Sequence, residues 1–195
     1  MIATQDRILS APSLTTSGLQ ALLQKEVIAY RIPRFLSPTR CRSWEASLQN
    51  NSNFQRYANA PDVPVYRSGM TLFEAANRPE LLADYFQGAE GTHHRIETLL
   101  GGANPLRQMQ EALDSCWPFG ACRQQWRGYR LNPGMLRSFA ADPTGGLPPH
   151  VDTLFKDLPS SSAAKRIKTQ LATNLYLQAP ETGGELFIWR QEPTA

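Results

Sequence analysis

The residues best equipped for chemistry are His150 and Asp152, separated by Val151. On an extended strand alternate side chains share a face, so both can reach one bound ion. An imidazole nitrogen and a carboxylate oxygen form a two-toothed metal clamp. With a second histidine arriving from elsewhere, they make the two-histidine, one-carboxylate set that leaves open positions on non-haem Fe(II). Histidine binds metal as neutral imidazole and aspartate as carboxylate, the forms both residue types ordinarily take near neutral pH. The competing reading of the same spacing is a buried hydrogen-bonded pair. His-x-Asp is a weak signal by itself, so its surroundings carry the weight.

The elements around the pair are therefore decisive. Asp142-Pro143-Thr144-Gly145-Gly146 and then Leu147-Pro148-Pro149 lead into the clamp, and small polar residues follow it. Alternation over residues 172–178 puts Ala172, Asn174, Tyr176 and Gln178 on one side and Thr173, Leu175 and Leu177 on the other. The first set suits a cavity and the second suits packing on helices. Gly183-Gly184, free to take positive φ, marks a tight reversal into Glu185-Leu186-Phe187-Ile188-Trp189. Upstream, residues 125–131 and 135–140 read as strands around the turn Asn132-Pro133-Gly134. Those strands carry Tyr129 and Arg137 towards the clamp.

This succession of Pro-Pro lead-in, His150-x-Asp152, alternating strand, Gly-Gly hairpin and Glu-Leu-Phe-Ile-Trp resembles the core of the Fe(II)/2-oxoglutarate-dependent oxygenases. The likeness is best over residues 129–189 and looser back to residue 27. It implies an α+β fold built on a double-stranded β-helix, or jelly roll, with helices packed on one sheet. It also implies Fe(II) on His150 and Asp152, 2-oxoglutarate as cosubstrate, and O2. By the same resemblance Asn174 and Tyr176 are candidates to hydrogen-bond the 2-oxoglutarate carboxylates, with general cavity lining as the alternative. Arg137 offers the bidentate fork with which arginine best holds a carboxylate of cosubstrate or substrate, its alternative being a surface ion pair. Tyr129 is a further candidate on the preceding strand.

Chlorinating members of the family have Gly or Ala where the carboxylate stands, so Asp152 favours hydroxylation over halogenation. The implied reaction converts 2-oxoglutarate to succinate and CO2 while hydroxylating a small molecule such as an amino acid or a biosynthetic intermediate. Two other readings stand beside it. One is a non-catalytic jelly-roll binding module in which His150 and Asp152 are a structural pair; the other is a prolyl-hydroxylase-like enzyme acting on a protein or peptide. One departure from the family pattern is plain: no His follows His150, and the sequence stops at Ala195. The expectation is a fragment, with the second histidine and a 2-oxoglutarate-binding Arg or Lys after Ala195, because a half-finished sheet leaves an open edge and half a core exposed. Completion by another chain and a degenerate site are the alternatives.

Composition bounds the rest. With 195 residues, 41% of them hydrophobic, one domain is expected over 1–195, with a helical and strand region at 1–124 and the jelly-roll core at 125–195. Arg outnumbers Lys 16 to 4 within a net charge of +3. The cations are scattered apart from Lys165-Arg166-Ile167-Lys168, so no nucleic-acid partner is expected and an anionic small ligand fits as well. Three cysteines without metal spacing suggest reduced thiols and a cytoplasmic location. The first seven residues lack the basic start and apolar run of a signal peptide, and no stretch approaches a membrane span. Substrate identity and oligomeric state are not legible.

Helices are expected at residues 17–25 with Ser17 as cap, from Pro38 after Ser37, at 72–76, at 79–86, at 91–100 with Thr92 as cap, and from Pro105 after Asn104. The last carries Leu106, Met109, Leu113 and Trp117 as a core stripe. A strand is expected at 27–32, and residues 50–65 read as a loop or a strand pair. His93 and His94, neighbours on a helix, point about 100° apart and read as packing or surface residues.

Overall fold

The computed structural model describes residues 8–49, 54–58, 60, 62–76, 78–140 and 150–189. The lead-in at 142–149 and the first seven residues lie outside them, as does part of 50–65. The elements follow in the order β1 (Ile8–Ser10), α1 (Thr16–Leu23), β2 (Ala29–Arg31), α2 (Pro38–Gln49), β3 (Gln55–Arg56), β4 (Val65–Ser68), α3 (Leu72–Ala75), α4 (Pro79–Glu90), α5 (Thr92–Leu99), α6 (Pro105–Cys116), β5 (Gln125–Trp126), β6 (Tyr129–Arg130), β7 (Leu136–Phe139), α7 (Leu154–Asp157) and α8 (Ser162–Lys165). The fold is mixed α+β with small sheets, none closed among the described residues. β1 pairs with β2 in parallel, β5 with β6 antiparallel, and β4 lies antiparallel between β3 and β7. No helix among the described residues is long and apolar enough to cross a membrane.

Local chemistry accounts for most helix starts. Pro38 opens α2 with its fixed φ where an N–H has no helical partner. Asn104 caps α6, its side-chain oxygen accepting from Arg107 N at 2.9 Å, with Pro105 next. Two starts differ from the sequence reading. α1 is capped by Thr15, not Ser17, through a bond from Gly18 N at 3.1 Å. Thr92 is inside α5 and fully buried, following directly on Gly91, and its hydroxyl donates back to Gly88 O at 3.0 Å and does not cap the helix.

Two apolar clusters position the later chain. In the first, Leu36, Trp44, Ile96, Leu99 and Leu100 are buried, and Leu136 of β7, Leu175 and Leu177 pack against them. The alternation expected over residues 172–178 is thus realised as burial: Leu175 and Leu177 are half-buried, Asn174 and Tyr176 exposed. The expected strand is not, because no ladder forms there among the described residues. Gly183 and Gly184 do take positive φ, 74° and 73°, but the bend lies just before them, at Glu181 and Thr182, and no hairpin ladder follows among the described residues. In the second cluster Tyr85, Phe86, Ala75 and Leu131 are buried, with Trp126 and Leu154 against them. Leu154 anchors α7, just after the clamp.

Asn132 ties the turn before β7 to these helices. Its N–H donates to the Tyr85 hydroxyl at 2.9 Å and its side-chain amide to Met70 O at 3.2 Å, while its Oδ1 accepts from Thr92 Oγ1 at 3.1 Å and Gly134 N at 3.2 Å. Asn132→Ala takes the side-chain partner from the Met70 carbonyl and the Gly134 N–H and should cost about 1–3 kcal/mol in urea unfolding. A loss below about 0.5 kcal/mol, the scatter of ordinary surface changes, would show that the turn is held by packing alone.

Candidate metal and carboxylate site

The clamp residues meet, though not on a strand. Residues 150–152 have no ladder partner among the described residues, so the pairing rests on local chain direction alone. His150 Nε2 lies 4.0 Å from Asp152 Oδ1, with side chains 51% and 66% exposed. That distance is too long for a hydrogen bond, and both side chains are more than half exposed. Neighbouring ligands at about 2.0–2.2 Å from a metal stand about 3 Å apart, so the two side chains would have to close by about 1 Å to form one edge of a metal site. Among the described residues no group of three His, Cys, Asp or Glu side chains is placed to hold an ion. Asp157 on α7 is the nearby acid: burial pushes its carboxyl above the ordinary aspartate range, and the charge of Asp152 adds to the push.

Arg137 stands on β7 of the three-stranded sheet. In the antiparallel register it stands directly opposite Arg67, which in turn stands opposite Gln55, so all three share one face. Arg67 is 5% and Glu74 2% exposed, and the two are joined by a charge-assisted bond from Arg67 Nη2 to Glu74 Oε1. Thr71 donates to the other carboxylate oxygen from N at 3.0 Å and from Oγ1 at 2.9 Å, and Ala58 N donates to Oε1 at 3.1 Å. Burial pushes the Glu74 carboxyl up, but the bonds from Arg67, Thr71 and Ala58 outweigh it and hold the group below its ordinary range.

Tyr57 joins the two halves. The Arg67 guanidinium lies 5.4 Å from its ring centroid, and Ala58, the next residue, is pinned to Glu74. Burial raises the Tyr57 hydroxyl above its usual range; Arg137 and Arg67 pull it down, while Glu74 and Asp152 push it up. Sequence reasoning missed it, because Tyr57 sits in a polar, Asn-rich stretch read as a loop or a strand pair. The available signal was an aromatic residue directly after a short strand.

The other candidates fall elsewhere. Tyr129 stacks on Phe86 of α4, centroids 4.5 Å apart at 21°, and faces Trp126 across the β5–β6 ribbon, so it packs the second cluster. Asn174 and Tyr176 are exposed on the side of their segment opposite Leu175 and Leu177, and neither makes a hydrogen bond among the described residues. His93 is a packing residue. Its Nδ1 meets the Asn104 amide at 3.1 Å, and burial, with Arg107 nearby, holds its imidazole below the usual range. His94 is exposed.

Compared with models of known protein families, with curated proteins and with solved structures, the chain matches none.

Proposed function

We propose that this protein is an Fe(II)- and 2-oxoglutarate-dependent dioxygenase that hydroxylates a small molecule such as an amino acid or a biosynthetic intermediate, with succinate and CO2 as co-products. The observation that carries the reading is the approach to 4.0 Å of two exposed side chains suited to a metal, His150 Nε2 and Asp152 Oδ1, with Arg137, suited to a carboxylate, on the strand that precedes them. The exposure of the His150–Asp152 clamp supports it further, because a metal needs open coordination positions. In this reading the β3–β4–β7 sheet belongs to one wall of a jelly roll, and α2 and α5 pack behind it through Leu136.

His150 and Asp152 would hold the iron, which when bound supplies the activation of O2 that no protein side chain can provide. The chain's own work is to bind and orient. Arg137 faces an anion, the Tyr57 hydroxyl keeps its proton and can donate it in a hydrogen bond, and the carboxylate of Asp152 fills the position that a halide needs, which directs the outcome to hydroxylation. A small-molecule substrate and O2 are the partners the chemistry requires; neither nucleic acid nor membrane has a part in it.

The test is to add Fe(II) and 2-oxoglutarate without oxygen and look for the visible charge-transfer band between them, with Asp152→Ala as control. The parent should show the band and the control should lose it. No band from folded protein, or the same band in the control, would end the reading. Metal-independent binding of a ligand by an intact fold would point to the non-catalytic binding module instead.

A further inference from the structure

We propose that the cleft among α2, α5 and α6 is a second small-molecule site that takes a free α-amino acid, with Arg40 on its carboxylate and Glu97 and Glu111 on its ammonium group. The site shares no residue with the clamp and needs no metal, so it stands or falls apart from the dioxygenase reading.

A tight turn builds the cleft. Gly101 and Gly102, with φ of 64° and 88°, reverse the chain after α5, and Gly102 N donates to Glu97 O at 2.7 Å. Glycine takes this left-handed backbone without steric cost. The reversal brings the start of α6 to Glu97. Asn104, the cap of α6, donates from Nδ2 to Glu97 Oε1 at 3.0 Å, and Arg107 Nη2 donates to the same oxygen at 2.9 Å. Arg40 and Trp44 line the cleft from α2, and Gln108 and Glu111 line it further along α6. The enclosed volume is about 350 Å³, near the lower end of the roughly 300–1,000 Å³ of small-ligand sites.

Several polar groups of this lining have no use inside the protein. Arg40 and Glu111 are exposed, and neither makes an ion pair or a hydrogen bond among the described residues. Glu97 is half-used: Oε1 accepts both internal bonds, and Oε2 accepts none among the described residues. The bonds from Asn104 and Arg107 hold its carboxyl below the ordinary range, so it is charged near neutral pH. Trp44 is only 5% exposed, yet its indole N–H donates to no acceptor among the described residues. Donors on buried side chains are seldom left that way without water or a ligand.

The balance of charge selects the ligand. The lining carries two guanidinium groups, Arg40 and Arg107, and two carboxylates, Glu97 and Glu111. A purely anionic ligand drawn to Arg40 brings its charge towards both carboxylates, and a purely cationic one drawn to Glu111 meets both guanidinium groups. Such like-charge approaches reject a partner. A molecule with a carboxylate and an ammonium joined through one carbon answers both sets together. Arg107 already spends Nη2 on Glu97, so the open fork is that of Arg40, matched to a carboxylate. The three N–H donors of an ammonium match Glu97 Oε2, the Glu111 carboxylate and Gln108 Oε1, with Gln108 Nε2 held by Phe35 O at 3.3 Å.

The experiment is calorimetric titration of the metal-free full chain with L-alanine, L-leucine and L-phenylalanine in separate series. For whichever binds tightest, the acid without its amino group and the amine without its carboxylate are titrated next. Parent, Arg40→Gln, Glu111→Gln, His150→Ala and the surface control Arg130→Gln are compared, with thermal unfolding of each. Losing one charge-assisted hydrogen bond should weaken binding by roughly 10- to 100-fold. That loss is expected for both single-charge analogues and in the Arg40 and Glu111 variants at unchanged thermal midpoint. His150→Ala and Arg130→Gln should bind as the parent does. No binding of any of the three amino acids, equal affinity in Arg40→Gln and Glu111→Gln, or an analogue that binds as tightly as its amino acid overturns the site. Loss of binding in His150→Ala alone also overturns it, by moving the amino acid to the clamp. The analogues are read on the parent, so the outcome does not hang on the folding of any variant.

Discussion

Glu74→Ala is expected to destabilise the fold by about 3–5 kcal/mol, the usual effect of removing one partner from a buried ion pair. Three sets of contacts fail together. Arg67 keeps its charge at 5% exposure with its carboxylate gone, Thr71 loses acceptors for its N–H and hydroxyl, and Ala58 loses the bond that holds the chain after Tyr57. Denaturant unfolding at pH 7 measures the effect, and a loss below about 1 kcal/mol, the scale of an exposed pair, would mean that the pair is solvated. The pH dependence has a definite sign. The folded carboxyl sits below the ordinary value near 4.5, so the unfolded chain takes up its proton first. The contribution of Glu74 is complete above that ordinary value and disappears as pH falls through the lower, folded one. Glu74→Gln should lack this acid limb while the parent shows it.

Asp152→Gly is expected to abolish hydroxylation and to weaken metal binding by more than about 100-fold, since even partners that only orient a ligand account for 10–100-fold. The fold should not suffer. Asp152 is 66% exposed, and surface changes of this kind fall within about 0.5 kcal/mol. Metal titration followed by manganese resonance, turnover measured as succinate release, and a thermal melt together separate a lost ligand from a lost fold. Unchanged turnover would remove Asp152 from the ligand set.

What was legible in the residues was whatever a few neighbours decide. Pro38 and Asn104-Pro105 start helices because capping and a fixed φ are local effects. Leu175 and Leu177 face the helical cluster because alternation needs only an extended chain. The side-by-side approach of His150 and Asp152 followed from their spacing, whereas the strand expected to carry them did not, since a ladder needs a partner that the spacing cannot name. Tyr129 shows the opposite failure. An aromatic residue on a short strand reads the same whether it lines a cavity or stacks on Phe86, and only the approach of α4 decides. Tyr57 was hidden because its role exists only once β4 lies between β3 and β7, a pairing that joins residues some 80 positions apart, as Gln55, Arg67 and Arg137 show.

After the two glycines of positive φ, Gly183 and Gly184, come four large apolar side chains in a row, Leu186, Phe187, Ile188 and Trp189, all exposed. An uncharged run of this kind, rich in residues that favour cross-β stacking, is a seed for self-association. Colloidal behaviour will therefore set the working range of this protein. Salts excluded from protein surfaces will drive the run together, and a lysine placed within it would act as a gatekeeper without touching the clamp or the sheet.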